Sequence, residues 1–234
     1  MFCGHCGEPI LGASGFCNGC GAPLSADAAG AGARTRGARL LQRIKNIILA
    51  PAAEWPLIAA ETASPRRLYL GYVAPLAAIG VVAGLVGRTL VASPADRLAT
   101  ALTHAVLSYA LCFLAVFLAA LIVDLLAPSF GGRRDALAAL KLTAYGFTPA
   151  WIAGALNLIP ALNVVAVLGA VYAVYLIYVG LPVLMRCPAA RAAGYAVVAV
   201  LGAVATWAVL ATLVRCGTAG VDRMAGEVAR GVGA

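Results

Sequence analysis

The sequence predicts an all-α membrane protein: a five-helix transmembrane bundle preceded by a small cysteine-rich module and an amphipathic helix. Three observations lead there. Apolar side chains make up 63% of the chain and glycine adds 26 residues, while charged residues are only 11%, against about 25% for a soluble domain. Long stretches carry no Asp, Glu, Lys or Arg at all. Four cysteines fall in two close pairs ahead of the first such stretch. A globule of this length exposes too much surface to hide so many apolar groups, so a soluble enzyme is excluded, and the net charge of +8 is read as a matter of topology and lipid contact.

At the N-terminus, Cys3-Gly4-His5-Cys6-Gly7 and Cys17-Asn18-Gly19-Cys20-Gly21 form two C-x-x-C-G knuckles. Four thiolates at about 2.3 Å complete the closed tetrahedron of a structural zinc site. Residues 1–21 are therefore expected to be a zinc ribbon with Cys3, Cys6, Cys17 and Cys20 as ligands, and metal binding would supply its folding energy. A redox dithiol lacks its βαβ setting here, and disulfides are disfavoured in a reducing compartment. Another thiophilic ion would satisfy the same spacing. With four protein ligands the ion has no open position, so the expected Zn2+ is structural. His5 lies inside a knuckle and is expected to be exposed.

Residues 22–38, rich in Ala and Gly, read as a flexible linker with a reach of about 23 Å. Residues 39–67 form the next segment. Leu40, Leu41, Ile44, Ile47 and Ile48 make the apolar stripe of a helix, with Arg36, Arg39, Arg43 and Lys45 off it. Such a helix suits the bilayer interface, with the basic residues of 34–45 near anionic headgroups; packing against the spans is the alternative use of the stripe. Pro51 and Pro56 interrupt it, and Trp55 fits headgroup level.

The membrane domain is expected over 68–214. Uncharged runs cover Leu68–Gly87, Leu98–Val123, Leu142–Met185 and Ala192–Val214. As one helix the third would reach about 66 Å, twice the hydrocarbon thickness. It must fold back, and the natural break is Asn157-Leu158-Ile159-Pro160-Ala161-Leu162-Asn163. Five spans result, at about 68–88, 99–127, 136–159, 161–185 and 192–214, with a C-terminal tail at 215–234. None of the runs alternates polar and apolar with period two, so barrel strands do not fit. Gly80, Gly84 and Gly87 share one face, a surface for close helix contact.

Orientation follows from Lys and Arg in the connections. The N-terminal segment and the second and fourth loops hold twelve of them, and the opposite side holds Arg88, Arg97, Arg215, Arg223 and Arg230. This predicts a cytoplasmic N-terminus and an outer C-terminus. No cleavable signal peptide is recognisable.

Polar residues within spans are costly and mark candidate sites. Asp124 near the end of the second span is read as an interfacial partner for Arg133 or Arg134, with ion or proton ligation as the alternative. His104 sits with Ser108 and Tyr109 near the start of that span, and Lys141 lies inside the third. Asn157 and Asn163 bracket the Pro160 bend, where they would satisfy freed backbone groups. Tyr172, Tyr175 and Tyr178 share a helical flank. Cys112, Cys187 and Cys216 read as packing residues. No H-E-x-x-H, G-x-S-x-G or phosphate-binding loop is present.

Several segments resemble the Yip family, and the chain is similar to a bacterial member of it. They are Ile44–Pro51 with Glu54-Trp55 and Glu61, Tyr72-Val73-Ala74-Pro75-Leu76-Ala77, Phe130-Gly131-Gly132, Tyr145-Gly146-Phe147-Thr148-Pro149, Tyr172 through Tyr178, Gly180–Met185, Cys187-Pro188 and Gly194-Tyr195. The resemblance covers about 40–214. It implies a five-span protein of the bacterial inner membrane, related to eukaryotic proteins that interact with Rab GTPases through cytosolic N-terminal regions. Here that region reads as a zinc ribbon and tether, so Rab binding does not carry over. Taken together, the sequence points to a non-enzymatic membrane adaptor or scaffold in contact with the lipid bilayer. Its ribbon would recruit a protein partner, and nucleic acid is not expected. The alternative is a small transporter or channel using Asp124, His104, Lys141 and the asparagine bend.

Overall fold

A computed structural model of the chain describes residues 35–91 and 97–232. The expected ribbon ligands Cys3, Cys6, Cys17 and Cys20 and most of the expected linker lie outside the described residues. Regular structure among the described residues is entirely helical. Helix α1 spans Thr35–Leu49 and α2 Pro51–Ala60; α3 (Pro65–Leu68) continues through a π turn (Tyr69–Val73) into α4 (Ala74–Val91). Then come α5 (Arg97–Leu126), α6 (Ala136–Gly146), α7 (Thr148–Ala153), α8 (Asn163–Leu184) and α9 (Ala189–Val232). Contacts divide the chain into two units, Met1–Lys45 and Asn46–Ala234. The described part of the first is the opening of α1, which begins ahead of the boundary expected at residue 39.

Among the described residues four helices are long and apolar enough to cross a membrane: Pro65–Thr89, Thr100–Phe130, Val167–Leu184 and Ala189–Gly220. They match the first, second, fourth and fifth spans expected from the uncharged runs. The last helix runs on to Val232, past the expected end of its span at 214. Apolar groups stand outward on these helices, with Phe117 53% and Leu201 63% exposed. Such surface is costly in water and requires lipid.

The third expected span, 136–159, is not one helix. Pro149 has no amide to give, and its ring would crowd the carbonyl of Tyr145, four residues back. The Thr148 hydroxyl takes that carbonyl instead, Oγ1 donating to Tyr145 O at 2.6 Å. The rod therefore breaks at Phe147 and continues as α7 and two 3-10 turns, Gly154–Leu158 and Pro160–Leu162. Phe147 N still donates to Thr143 O, and Trp151 N to Phe147 O, each at 3.1 Å, so the break is a kink within one rod.

α5 packs against α9, α4 and α6, while α8 packs against α2, α6, α7 and α9. The tight core lies around α2, α6 and α8, where Trp55, Ile58, Leu142, Leu176 and Leu181 are sealed from solvent. Trp55 rests directly on Gly180: a Cβ there would fall 2.7 Å from Trp55 Cε2 and 2.5 Å from Leu142 Cδ1. Along α4, a Cβ on Gly87 would come within 2.6 Å of the Asn157 and Leu158 carbonyls, and one on Gly80 would lie 3.4 Å from Gly154 Cα. The glycine face expected on the first span is thus a backbone-to-backbone seam with the kinked rod.

Candidate functional site

The intramembrane polar residues singled out from sequence fall into three separate settings. The first is a structural corner. Asp124, near the end of α5, is buried and pairs with Arg134, whose Nη2 and Nε lie 3.1 and 3.2 Å from Oδ2. Around it the chain turns through Phe130-Gly131-Gly132. Gly131 is left-handed at φ 74°, and a Cβ on Gly132 would meet the Met185 carbonyl at 2.9 Å, the same oxygen that accepts Arg133 N at 2.8 Å. Phe130 stacks on Tyr195 at 5.0 Å, and the Tyr195 hydroxyl donates to Val123 O. Asp124 thus pairs with one of the two arginines considered for it from the sequence. Beside it, burial pushes the Cys187 thiol above its usual range.

The second setting is a strut. Lys141 is buried on α6 and donates Nζ–H to Ile58 O at 2.9 Å and Glu61 O at 2.5 Å. These carbonyls end α2, where the helix dipole favours a cation. A second anchor is Tyr172, whose hydroxyl donates to Ile48 O at 2.6 Å in the last turn of α1. Tyr175 and Tyr178, on the same flank, stay largely exposed.

The third setting is a cavity of about 530 Å³ among α4, α5, α7 and the turn Gly154–Leu158, with Trp207 of α9 at its edge. His104 and Asn157 line it; Asp124 and Lys141 do not. Asp124 lies about 30 Å from His104 along α5 at 1.5 Å per residue. Arg88 Nη2 is 3.1 Å from His104 Nε2, and His104 Nδ1 is 3.2 Å from Ser108 Oγ. Because a guanidinium only donates, Nε2 accepts; Nδ1 therefore carries the ring proton and donates to Ser108. The Asn163 side chain lies outside the described residues.

From sequence Arg88 reads only as a loop charge and Cys112 only as a packing residue, yet both line the cavity. Their signal was spacing: Ala77, Val81, Gly84 and Arg88 on α4, and His104, Ala105, Ser108 and Cys112 on α5, each repeat on one helical face. That the two faces confront each other could not be read from either helix alone. Among the described residues no three of His, Cys, Asp and Glu gather closely enough to hold a metal ion.

The segments that carried the resemblance meet one another across the second unit. Trp55 seats on Gly180, Tyr72 lies 4.4 Å from Tyr145 between ring centroids, its hydroxyl bonds Thr148 Oγ1 at 2.7 Å, and Phe130-Gly131-Gly132 closes on Met185 and Tyr195. Neither the curated proteins nor the solved structures contain a match. The Yip1 domain, in contrast, matches residues 45–211, from the end of α1 into α9. With more than two thirds of the chain matched, and with apolar helices built for a bilayer, this multi-pass membrane protein belongs to the Yip1 domain family.

Proposed function

We propose that the protein is a non-enzymatic membrane adaptor. A Yip1-family bundle anchors it in the bilayer, and the segment ahead of α1 recruits a protein partner. One observation supports this reading: the end of α1, which leads from that segment into the bundle, is anchored, Ile47 being buried and the Ile48 carbonyl bonded to Tyr172, while Lys141 holds the end of α2. A module ahead of α1 is, on this reading, tethered to the membrane through its linker. In this reading Cys3, Cys6, Cys17 and Cys20 hold a structural Zn2+, and the basic residues of 34–45 lie on anionic headgroups. The kinked rod 136–158 makes a fifth crossing: at 1.5 Å per residue it reaches about 35 Å, enough for the hydrocarbon core. The N-terminus is then cytoplasmic, with the inner membrane of a bacterium as its setting.

Transport is the weaker reading, since Asp124 and Lys141 are engaged in a corner and a strut, remote from His104. Crosslinking in native membranes followed by purification tests the adaptor. A partner that disappears with Cys3→Ser and Cys17→Ser, or on removing residues 1–38, is expected. The same partner recovered without residues 1–38 sinks the proposal. Metal content of the purified chain should be one zinc, lost in the Cys17→Ser variant.

A further inference from the structure

The cavity between α4 and α5 takes no part in the adaptor reading. Its lining is chemically polarised. Arg88, His104, Ser108 and Asn157 line it with Ala105 among them, while Ala77, Val81 and Ala150 lie farther along α4 and α7, with Trp151 and Cys112 also in the lining. Counting along α4, Arg88 and Ala77 are separated by about 16 Å of helix axis. The lining contains one formal positive charge and no carboxylate.

The polar end is rich in donors. With one Nη2 hydrogen on His104, Arg88 keeps further N–H groups that meet no partner among the described residues. Ser108 accepts from His104 and so retains its own O–H to give, and the Asn157 amide faces the same space. A group of acceptors with negative charge satisfies such a set, and a guanidinium matches the paired oxygens of a phosphate. The remainder of the cavity offers small apolar residues that leave room for a hydrocarbon chain and supply it no hydrogen-bond partner. Its position in the membrane-crossing part of the fold, beside the exposed Trp207, makes the surrounding lipid the nearest source of an amphiphile.

The geometry points to a binding site for an anionic phospholipid, its phosphate on Arg88 with Ser108 and Asn157, and one acyl chain lying between α4 and α5 toward Ala77. A drug-sized ligand fills a cavity of this volume, so the site takes one chain and not a whole lipid.

The test uses the purified full-length protein in detergent, titrated with phosphatidylglycerol or phosphatidylcholine and read by native mass spectrometry. The wild type is expected to retain phosphatidylglycerol preferentially by about fivefold, the weight of one cationic contact. Arg88→Gln should abolish that preference, while Arg215→Gln, which removes a cation outside the cavity, should keep it. Gly84→Leu, which fills the chain-bearing part, should lose bound lipid of both kinds with helicity unchanged. Wild-type preference in Arg88→Gln overturns the site, and equal loss in Arg215→Gln replaces it with diffuse surface attraction. Displacement of the lipid by inorganic phosphate at matching concentration would show that the headgroup alone binds, which also overturns the acyl-chain assignment. Should Arg88→Gln fail to fold, Gly84→Leu decides: lipid retention equal to wild type refutes the proposal.

Discussion

At the scale of single residues, burial decides what each charge does. The Asp124 side chain is 10% exposed and that of Arg134 54%, so the two partners are not equivalent. Removing Arg134 leaves a buried carboxylate whose Oδ1 already has no hydrogen-bond partner among the described residues. Removing the charge of Asp124 merely returns a guanidinium to water. Arg134→Ala is therefore expected to destabilise by about 1–2 kcal/mol, discounted from the buried-pair figure because Arg134 is half solvated. Asp124→Asn should cost less than about 1 kcal/mol. Thermal melts in detergent should rank them in that order, and the reverse order would remove Asp124 from its structural role. Cys187 offers a pH test. Its thiolate is disfavoured by burial, so maleimide labelling of the folded chain should begin at higher pH than that of a thiol in the unfolded chain. Onset at the same pH would contradict the packing around Pro188 and Tyr195.

At the scale of elements, the kinked rod is the instructive case. A run without charge from Leu142 to Met185 established that the chain turns back and that Pro160 lies near the turn. It did not reveal the kink at Phe147, although Pro149 stood in plain view. A proline inside an apolar helix is tolerated or not according to what satisfies the freed carbonyl, and here Thr148 does so locally. Since the Thr148 hydroxyl donates to Tyr145 O, the Tyr72 hydroxyl must be the donor in the 2.7 Å contact to Thr148 Oγ1. Thr148→Val would remove the acceptor of the Tyr72 hydroxyl and the hydroxyl donor to the Tyr145 carbonyl in a dry interior, and a loss of about 2 kcal/mol is expected. Adding Tyr72→Phe should then cost less than it does alone, because the Tyr72–Thr148 hydrogen bond is already lost. A double-mutant cycle on melting temperature measures the difference; strict additivity would mean the three groups do not act together.

At the scale of the whole molecule, the parity of crossings fixes the topology. Four crossings place both termini on one face, and a fifth through 136–158 places them on opposite faces. Reporter fusions at the two ends, read for cytoplasmic or external activity, are expected to differ. Equal reporting would make the kinked rod a re-entrant or surface element, and the count of Lys and Arg in the connections would need reassignment. The apolar composition and uncharged runs alone established an all-α membrane body, four of its crossing helices and the need for a fold-back, because a bilayer imposes length and hydropathy on each segment independently of its neighbours. The partners of those segments were decided only in three dimensions. Lys141 on the end of α2, Tyr172 on the Ile48 carbonyl and the confrontation of Arg88 with His104 depend on helix order and rotation. Lipid is as apolar as the helix faces themselves, so hydrophobicity places a span in the membrane without saying which neighbour it meets; close glycine contacts and hydrogen bonds between distant residues make that choice.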